Sequence, residues 1–311
     1  MTKRALTLMA IPEVPLANII SFWDRQQRNF PFFCFEILKI PIFSVNFALS
    51  SNQIADFIRS INLNVEYIKL EIKQNYCGIK LGLFYSEQRF TWKFVPTDRI
   101  LMKKKPWTKI YRCENMLETF KKHVEWLCDL IRFPPTYVNI VGPDFDGTAH
   151  LFEWNQIQQC ERLSTQMITQ FNGDLASFKD LEHLNVTAST WATPEDVKKW
   201  RIPTVVIFAA DWTTEDLKGI VSHWQNGGND VLERLTIVLR TENVAADVID
   251  SLETKPCDTD LRIQHYPGNG RLLPEFASVR DVERHDGLVA SIYIEDKGMD
   301  LIVWHERMDV N

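Results

Sequence analysis

The chain has 311 residues, of which 45% are hydrophobic and 24% charged, and its formal net charge is −6. This length allows one large domain or a small domain attached to a larger one, and the negative charge argues against broad binding to nucleic acid. No apolar run reaches the roughly 18 residues that a membrane-spanning helix needs, so we expect no membrane contact.

The N-terminal residues resemble a secretory signal only briefly. An apolar stretch from Ala5 to Ile11 follows two basic residues. Pro12 and Glu13 interrupt this stretch, and no small-residue cleavage site follows. We therefore expect the protein to reside in the cytoplasm or the nucleus.

Residues 1–60 are predicted to form a small helical segment. The apolar spacing from Leu16 to Trp23 is that of an amphipathic helix, and a serine after residue 49 caps a second helix. Between these helices, residues 30–49 are unusually rich in Phe, Ile and Leu. This stretch forms either a tight helical core or a surface that needs a partner.

From Val65 the sequence changes to the two-residue alternation that is typical of strands. Three such stretches, separated by polar turns, predict an antiparallel meander: Val65 to Ile72, Gly78 to Tyr85 and Phe90 to Val95. A long helix follows from Met116 to Ile131, and two prolines stop it. A strand at Val138 to Val141 comes next, and then a second helix that carries apolar residues from Cys160 to Phe171.

One Leu-x-x-Leu-x-Leu spacing recurs along the chain. It begins at Leu181, at Ile202 and at Leu232, and it is also present at Val65. The strands of leucine-rich repeats use this spacing because alternate residues are buried while a neighbouring residue fills the layer below. Residues 135–265 are therefore predicted to form an irregular leucine-rich-repeat-like stack of strands and helices with a parallel sheet.

Residues 201–240 predict one strand–helix–strand unit of this stack. The apolar run from Pro203 to Ala210 is too short and too β-branched for a helix, and it predicts a buried strand. The next helix is capped by one of two threonines before Glu215, and the pair Gly227-Gly228 supplies the left-handed backbone that ends it. A second strand, from Leu232 to Leu239, is predicted to lie parallel to the first.

The C-terminal stretch predicts three antiparallel strands, beginning near Val279, Leu288 and Met299. The dipeptide Asp286-Gly287 between the first two strands is a strong hairpin signal. The predicted fold class is therefore α/β, with an irregular leucine-rich-repeat-like strand–helix stack and antiparallel meanders at both ends. This larger domain spans residues 61–311, and the small helical segment precedes it.

The sequence carries no recognisable catalytic or metal-binding pattern. Six cysteines and seven histidines are scattered without the spacing of zinc sites, so we expect free thiols and packed histidines. The loop from Gly142 to Gly147 has two acids, but Asn155 stands where a calcium loop needs its last acid. Nucleotide-binding, kinase and serine-hydrolase motifs are absent. We therefore expect no enzyme activity and no cofactor; a hydrolase would need a converging nucleophile, histidine and carboxylate.

Two stretches in the second half of the chain carry a family signature. Residues 217–237 form a Leu-rich helix ending in His-Trp, then a Gly and Asn turn and Leu-Glu-x-Leu. Residues 281–304 begin with Asp-Val-Glu-Arg-His-Asp-Gly and end with Val-Trp. Both resemble the type-2 form of the nematode F-box-associated domain, and residues 58–70 are similar to its entry strand. The signature residues, expected to be structural, are His223, Trp224, Gly227, Leu232, Glu233, Asp286, Gly287 and Trp304.

The resemblance implies that an F-box, a small helical module that docks on the Skp1-like adaptor of a cullin-RING ubiquitin ligase, precedes this domain. Phe30-Pro31 resembles the opening of an F-box, and Phe43 to Ser51 resembles its later part. The stretch between them is shorter than in the family, and Ser51-Asn52-Gln53 replaces its basic Ser-Lys-Arg. Ile11-Pro12 is an alternative opening. The adaptor-docking candidates are Phe30, Pro31, Ile37, Leu38, Phe43 and Phe47.

The function implied by the resemblance is that of a substrate-recognition subunit of an Skp1–cullin–F-box ubiquitin ligase. Such a subunit binds a protein target through residues 61–311 and acts as a monomer within the complex, with no nucleic acid and no membrane as partner. The alternative is a protein-interaction module that has lost, or never had, attachment to the ligase. Large aromatic residues are frequent contacts in protein interfaces. The candidates for contact with the target are Trp107, Trp191 and Trp212.

Overall fold

The computed structural model describes residues 65–84, 89–98, 108–142, 149–168, 171, 174–188, 190–240, 252–257, 279–295 and 297–305. The chain divides into two compact units, 1–61 and 62–311, and all described residues lie in the second unit. The predicted helical segment 1–60, with its adaptor-docking candidates, lies outside the described residues. Trp107 lies outside them too.

Within these ranges, thirteen strands and four α-helices are present. The strands are β1 (Val65–Lys73), β2 (Tyr76–Leu83), β3 (Arg89–Pro96), β4 (Thr108–Cys113), β5 (Tyr137–Val141), β6 (Arg162–Gln166), β7 (His183–Thr187), β8 (Thr204–Ala210), β9 (Arg234–Leu239), β10 (Thr254–Pro256), β11 (Val279–Glu283), β12 (Val289–Glu295) and β13 (Gly298–Trp304). The helices are α1 (Met116–Ile131), α2 (Asn155–Gln158), α3 (Pro194–Lys199) and α4 (Thr214–Gln225).

All these strands belong to one mixed sheet, in the order β10-β11-β12-β13-β9-β8-β7-β6-β5-β1-β2-β3-β4. Its centre is parallel: β1 pairs with β5, and each strand from β5 to β9 pairs with the next one in the chain. Antiparallel pairs flank this centre, from β1 to β3 on one side and from β9 through β13 to β10 on the other. The predicted α/β class is confirmed, and so are the antiparallel pairings predicted in the two meanders.

Two rows of side chains in register form the core of the parallel strands. The first row consists of Leu70, Val138, Leu163, Leu184, Val205 and Leu235. The second row consists of Ile72, Ile140, Thr165, Val186, Ile207 and Ile237. All of these side chains are buried. The copy of the Leu-x-x-Leu-x-Leu spacing that begins at Val65 is out of register with the other copies, because its last residue, Leu70, aligns with Val138 and Ile68 does not.

Threonines cap two of the four helices, and at α4 the cap is the first of the two threonines that the sequence offers. Thr193 caps α3 and Thr213 caps α4, each in a reciprocal capping box with an aspartate three residues later. In each box the threonine hydroxyl accepts a hydrogen bond from the aspartate N–H, and the carboxylate accepts one from the threonine N–H. These bonds satisfy backbone donors that a helix leaves unpaired. The predicted strand–helix–strand unit is therefore confirmed as β8, α4 and β9.

The helix predicted from Cys160 to Phe171 is wrong. Only the four-residue α2 precedes Cys160, and the residues after it form strand β6. Leu163 and Thr165 are buried in this strand while its two end residues are exposed, which is the alternation of a strand. The apolar spacing of this segment also fits one face of a helix. The Leu-x-x-Leu-x-Leu spacing is present here as well, starting at Cys160, but its last position is a threonine, Thr165, and the pattern is therefore hard to recognise.

Candidate binding surface

Within the described residues, one face of the parallel strands is buried and the other is only partly covered. On β5 and β7 the residues that alternate with the core rows, among them Asn139 and Asn185, are only partly buried. Side chains of a strand point alternately to the two faces of a sheet, so these residues share the face opposite the core. We call this side the open face.

The centre of the open face presents polar side chains in register. Asn139, Ser164 and Asn185 stand side by side on β5, β6 and β7. The Thr187 hydroxyl donates a 3.1 Å hydrogen bond to the Asn185 side-chain oxygen, which fixes the orientation of that amide. Amides and hydroxyls donate and accept hydrogen bonds without carrying charge. This row can therefore donate and accept hydrogen bonds without contributing net charge.

A second row on the open face carries aromatic and basic groups. Tyr137, Arg162 and His183 are in register on β5, β6 and β7. The Lys69 ammonium lies 4.0 Å from the centre of the Tyr137 ring. Burial lowers the pKa of His183, and the nearby Arg162 lowers it further against the opposing effect of two glutamates. The His183 imidazole is therefore neutral at physiological pH and offers one donor and one acceptor.

On the β9 side of the open face, Arg234, Thr236 and Asp300 form a charged cluster. The buried Arg234 guanidinium lies 3.2 Å from a carboxylate oxygen of Asp300 on β13 and donates a 3.2 Å hydrogen bond to the Thr236 hydroxyl. That hydroxyl in turn donates to the same oxygen of Asp300. Because each member has partners within the cluster, the charges satisfy one another.

Trp191 belongs to an aromatic stack beyond the end of β7. Its ring lies almost parallel to that of Phe171, at a centroid distance of 4.4 Å, and 5.8 Å from that of Trp200. Phe152 extends the stack on the far side of Phe171. The Trp191 side chain is therefore partly committed to packing within its own domain, and its role as a target contact stays a prediction.

Trp212 has a different environment, just beyond the C-terminal end of β8. The pairing of β8 with β9 shifts register between Phe208 and Ala210, and Ala209 has a φ of 60°. Such a bulge bends a strand as it ends and redirects the residues that follow. Trp212 is half-exposed there, and its role as a target contact also stays a prediction.

The two signature segments meet in space where α4 ends. The Arg284 guanidinium lies over the Trp224 ring, and the His285 N–H donates a 3.0 Å hydrogen bond to the carbonyl oxygen of Gln225. Gly227 has a φ of 91°, and a Cβ there would lie 2.6 Å from the His285 ring. A side chain at this position would therefore be strained and would also clash.

The hairpin turn of the second segment is held by its own charges. Arg284 donates two hydrogen bonds, of 2.9 and 2.7 Å, to the Asp286 carboxylate, and Asp286 also accepts one from the Leu288 N–H. The Arg284 guanidinium holds the pKa of the Asp286 carboxyl well below its usual range. Gly287 supplies the positive φ of the turn. Arg284 is not among the predicted signature residues, although it lies within the second signature segment.

Three further signature residues, Leu232, Glu233 and Trp304, lie just before β9 and at the end of β13. The Trp304 indole N–H donates a 2.7 Å hydrogen bond to the Ser291 hydroxyl, which donates to the buried Asp281 carboxylate. The Val303 N–H donates to the Glu233 carbonyl oxygen, and His305 Nε2 lies 2.8 Å from the Leu232 carbonyl oxygen. These hydrogen bonds connect strands β11, β12 and β13 with one another and with the residues just before β9.

The cysteines of the described residues carry free thiols. Burial raises the pKa values of Cys77, Cys128 and Cys160 to about 12. These three thiols therefore stay protonated at neutral pH, and a protonated thiol is a poor nucleophile. Within the same ranges, no group of three or more His, Cys, Asp and Glu side chains is arranged to hold a metal ion. No helix in the described part of the chain is long and apolar enough to span a bilayer.

Three comparisons with known proteins gave no match: no family model, no curated protein and no solved structure resembles this chain closely enough to be counted.

Proposed function

We propose that the chain is a substrate-recognition subunit of an Skp1–cullin–F-box ubiquitin ligase and that the open face binds the protein target. The observation that carries this proposal is the order of the parallel strands. From β5 to β9 each strand lies beside its predecessor in the chain, as in a leucine-rich-repeat-like stack. Stacks of this kind display one continuous row of side chains per strand position, and they are widely used to bind proteins.

The signature segments give a second line of support. Residues 217–237 and 281–304 carry the resemblance to the F-box-associated domain, and they contact each other through Arg284, Trp224 and His285. Two sequence matches that arise from similar composition alone would not be expected to contact each other in the structure. It supports the assignment of residues 61–311 as the target-binding domain.

The attachment to the ligase is proposed from the sequence of residues 1–60. More bulky apolar side chains lie between residues 30 and 49 than so short a segment can bury within itself, and such a surface favours a partner. The ligase acts in the cytoplasm and nucleus, which are the compartments that the sequence favours.

The second candidate function is a protein-interaction module without ligase attachment. It is favoured by the shortened stretch before Phe43 and by Ser51-Asn52-Gln53, which lacks the basic residues of the family pattern. In this case the open face would bind its target, and residues 1–60 would bind no adaptor.

Binding of the full-length chain to a purified Skp1-like adaptor tests the proposal. We expect a complex with a dissociation constant at or below the micromolar range, which corresponds to about −8 kcal/mol. Leu38→Asp and Phe43→Asp should each weaken the complex, because a charge in an apolar interface is costly to bury. Trp212→Asp, in the second unit, is the matched control and should leave adaptor binding unchanged.

The absence of adaptor binding at tens of micromolar would exclude the ligase function and leave the second candidate. Unfolding of each variant, followed by tryptophan fluorescence, shows whether the domain is intact when binding is lost. Identification of the target then uses proximity labelling with the wild-type chain and with Asn185→Arg, which places a bulky charge in the central row of the open face. A true target should be labelled by the wild type and lost in the variant.

A further inference from the structure

We infer that the open face over β1, β2 and β3 binds an acidic segment of the protein target. This inference rests on the proposed function and specifies the chemistry of the partner. The face in question, which we call the basic face, consists of the side chains of Tyr67, Lys69, Lys73, Tyr76, Lys80, Arg89 and Lys93.

The register of the strands places these side chains together. Lys69 pairs with Lys80, Glu71 pairs with Gly78, and Gly78 pairs with Lys93 on the next strand. Residues that alternate with them, such as Ile68, Leu70 and Trp92, are buried. The basic residues therefore share the face opposite the core, although 24 positions separate Lys69 from Lys93 in the sequence.

The positive charge of the basic face is only partly neutralised. Glu71 lies 2.9 Å from the Lys73 ammonium and 3.8 Å from that of Lys80, and Glu66 pairs with Arg89 at 3.0 Å. Lys69 and Lys93 have no carboxylate within ion-pair distance among the described residues. Repulsion from Lys80 adds to burial in lowering the pKa of Lys69. An incoming carboxylate would relieve this crowding of like charges.

Tyrosine rings lie on the basic face and hold its cations in place. The Tyr67 ring lies so close to Gly82 that a Cβ there would be 2.4 Å from it. The Arg89 guanidinium carbon lies 5.2 Å from the centre of this ring. The ammonium groups of Lys73 and Lys93 lie 5.1 and 5.3 Å from the centre of the Tyr76 ring. Cations that are held over aromatic rings lose less side-chain entropy when a ligand binds.

The basic face is too small for a long nucleic acid. It spans β1 to β3 and reaches β5 through Lys69 and Tyr137, a width of about 14 Å at the usual spacing of strands. The next strand positions on the open face hold Tyr137, Arg162 and His183, and the whole chain has a net charge of −6. A long phosphodiester chain that continued beyond these groups would meet a protein of net negative charge. A short acidic peptide segment fits both the size and the charge.

The test measures binding of a short, fluorescently labelled Glu-rich peptide to the full-length chain by anisotropy at low salt. We expect saturable binding that weakens as salt is added. Lys93→Glu should weaken it roughly threefold to tenfold, because one attractive contact becomes repulsive. Lys122→Glu, on an exposed position of α1, changes the net charge by the same amount and is the matched control. It should change the affinity by much less.

Three outcomes would overturn the inference. The first is absence of peptide binding. The second is equal weakening by Lys93→Glu and Lys122→Glu, which would mean that only the overall charge matters. The third is tighter, Lys93-dependent binding of a labelled single-stranded oligonucleotide of the same charge as the peptide. A chain that binds the adaptor but not the peptide contradicts the acidic-segment inference alone. One that binds the peptide but not the adaptor contradicts the ligase proposal alone.

Discussion

The guanidinium of Arg284 lies 5.6 Å from the centre of the Trp224 ring and joins the hairpin between β11 and β12 to the helix α4. The same guanidinium holds the Asp286 carboxylate in a two-point hydrogen bond. Trp224 is almost completely buried, and the Arg284 side chain is 9% exposed. One arginine therefore orders the turn and covers a core tryptophan at the same time.

Replacing Arg284 with Ala should lower the free energy of unfolding by about 2 kcal/mol, because the packing on Trp224 and the hydrogen bonds to the turn are lost together. Chemical denaturation followed by tryptophan fluorescence measures the change. Arg280→Ala, at an exposed position on β11, is the control and should cost less than about 0.5 kcal/mol. Equal effects of the two substitutions would show that the contact with Trp224 contributes nothing.

Gly227→Ala should destabilise the domain more than Gly287→Ala. Both glycines have a positive φ, of 91° and 87°, so both substitutions strain the backbone by about 1 kcal/mol. Only at Gly227 would the new methyl group also meet a neighbouring ring, that of His285. The difference between the two midpoints of thermal unfolding isolates this clash. If the two variants unfold at the same temperature, His285 can move away without cost.

Thr165→Val should stabilise the domain by about 1 kcal/mol, since it removes a buried hydroxyl that has no hydrogen-bond partner among the described residues and keeps the shape of the side chain. Thr165 lies in the second core row, between Ile140 and Val186. The same substitution at Thr236 should destabilise the domain by about 1–3 kcal/mol, because Arg234 and Asp300 lose their shared hydroxyl. Equilibrium unfolding in urea gives both values. Destabilisation by Thr165→Val would mean that this hydroxyl has a partner.

The domain should lose stability as the pH falls below about 6.5. Burial lowers the pKa of His123, whose ring lies 4.9 Å from that of Phe94 and 5.0 Å from that of Tyr111. Between the lowered pKa and the ordinary value of 6.5, the unfolded chain binds the proton and the folded chain does not. The stabilising effect of the neutral ring is therefore complete above pH 6.5 and is lost as the pH falls toward the folded pKa.

The variant His123→Phe separates this residue from other titrating groups. It should flatten the dependence of unfolding free energy on pH in that window, although it also loses the hydrogen-bond contact of the ring with the Thr119 carbonyl oxygen. His150→Phe, at a largely exposed position, makes the same replacement outside the core and is the control. An unaltered slope in His123→Phe would assign the pH dependence to another residue.

The signals for the unit from β8 to β9 are local, and for that reason the sequence predicts it well. A β-branched run, a threonine with an aspartate three residues later and a glycine pair each act over a few residues. The first meander is predictable for the same reason. The structure of the segment after Cys160 is not predictable from local signals, because its apolar residues fit a helix and a strand equally well. Pairing with the neighbouring strands determines that it is a strand.

The relationships that build the surface depend on pairing between distant residues. Nothing local in the sequence indicates that β13 pairs with β9, and Asp300 lies 64 residues from Thr236. The basic face has the same origin: its lysines alternate with apolar residues on separate strands, and only the register brings them together. Charge at alternate positions of a strand is usually no more than a solvated face, so the pattern alone could not identify it.

The late position of β13 in the chain has a consequence for synthesis. During translation, β5 to β9 leave the ribosome and can stack while β13 is still unmade. In that interval β9 is an unpaired edge, and the buried Arg234 has no Asp300 to neutralise it. Open strand edges are the usual starting points for aggregation, and a charged side chain on an edge strand discourages foreign strands from adding to it. Arg234 would thus first protect the exposed edge of β9 against aggregation and later form an ion pair with Asp300.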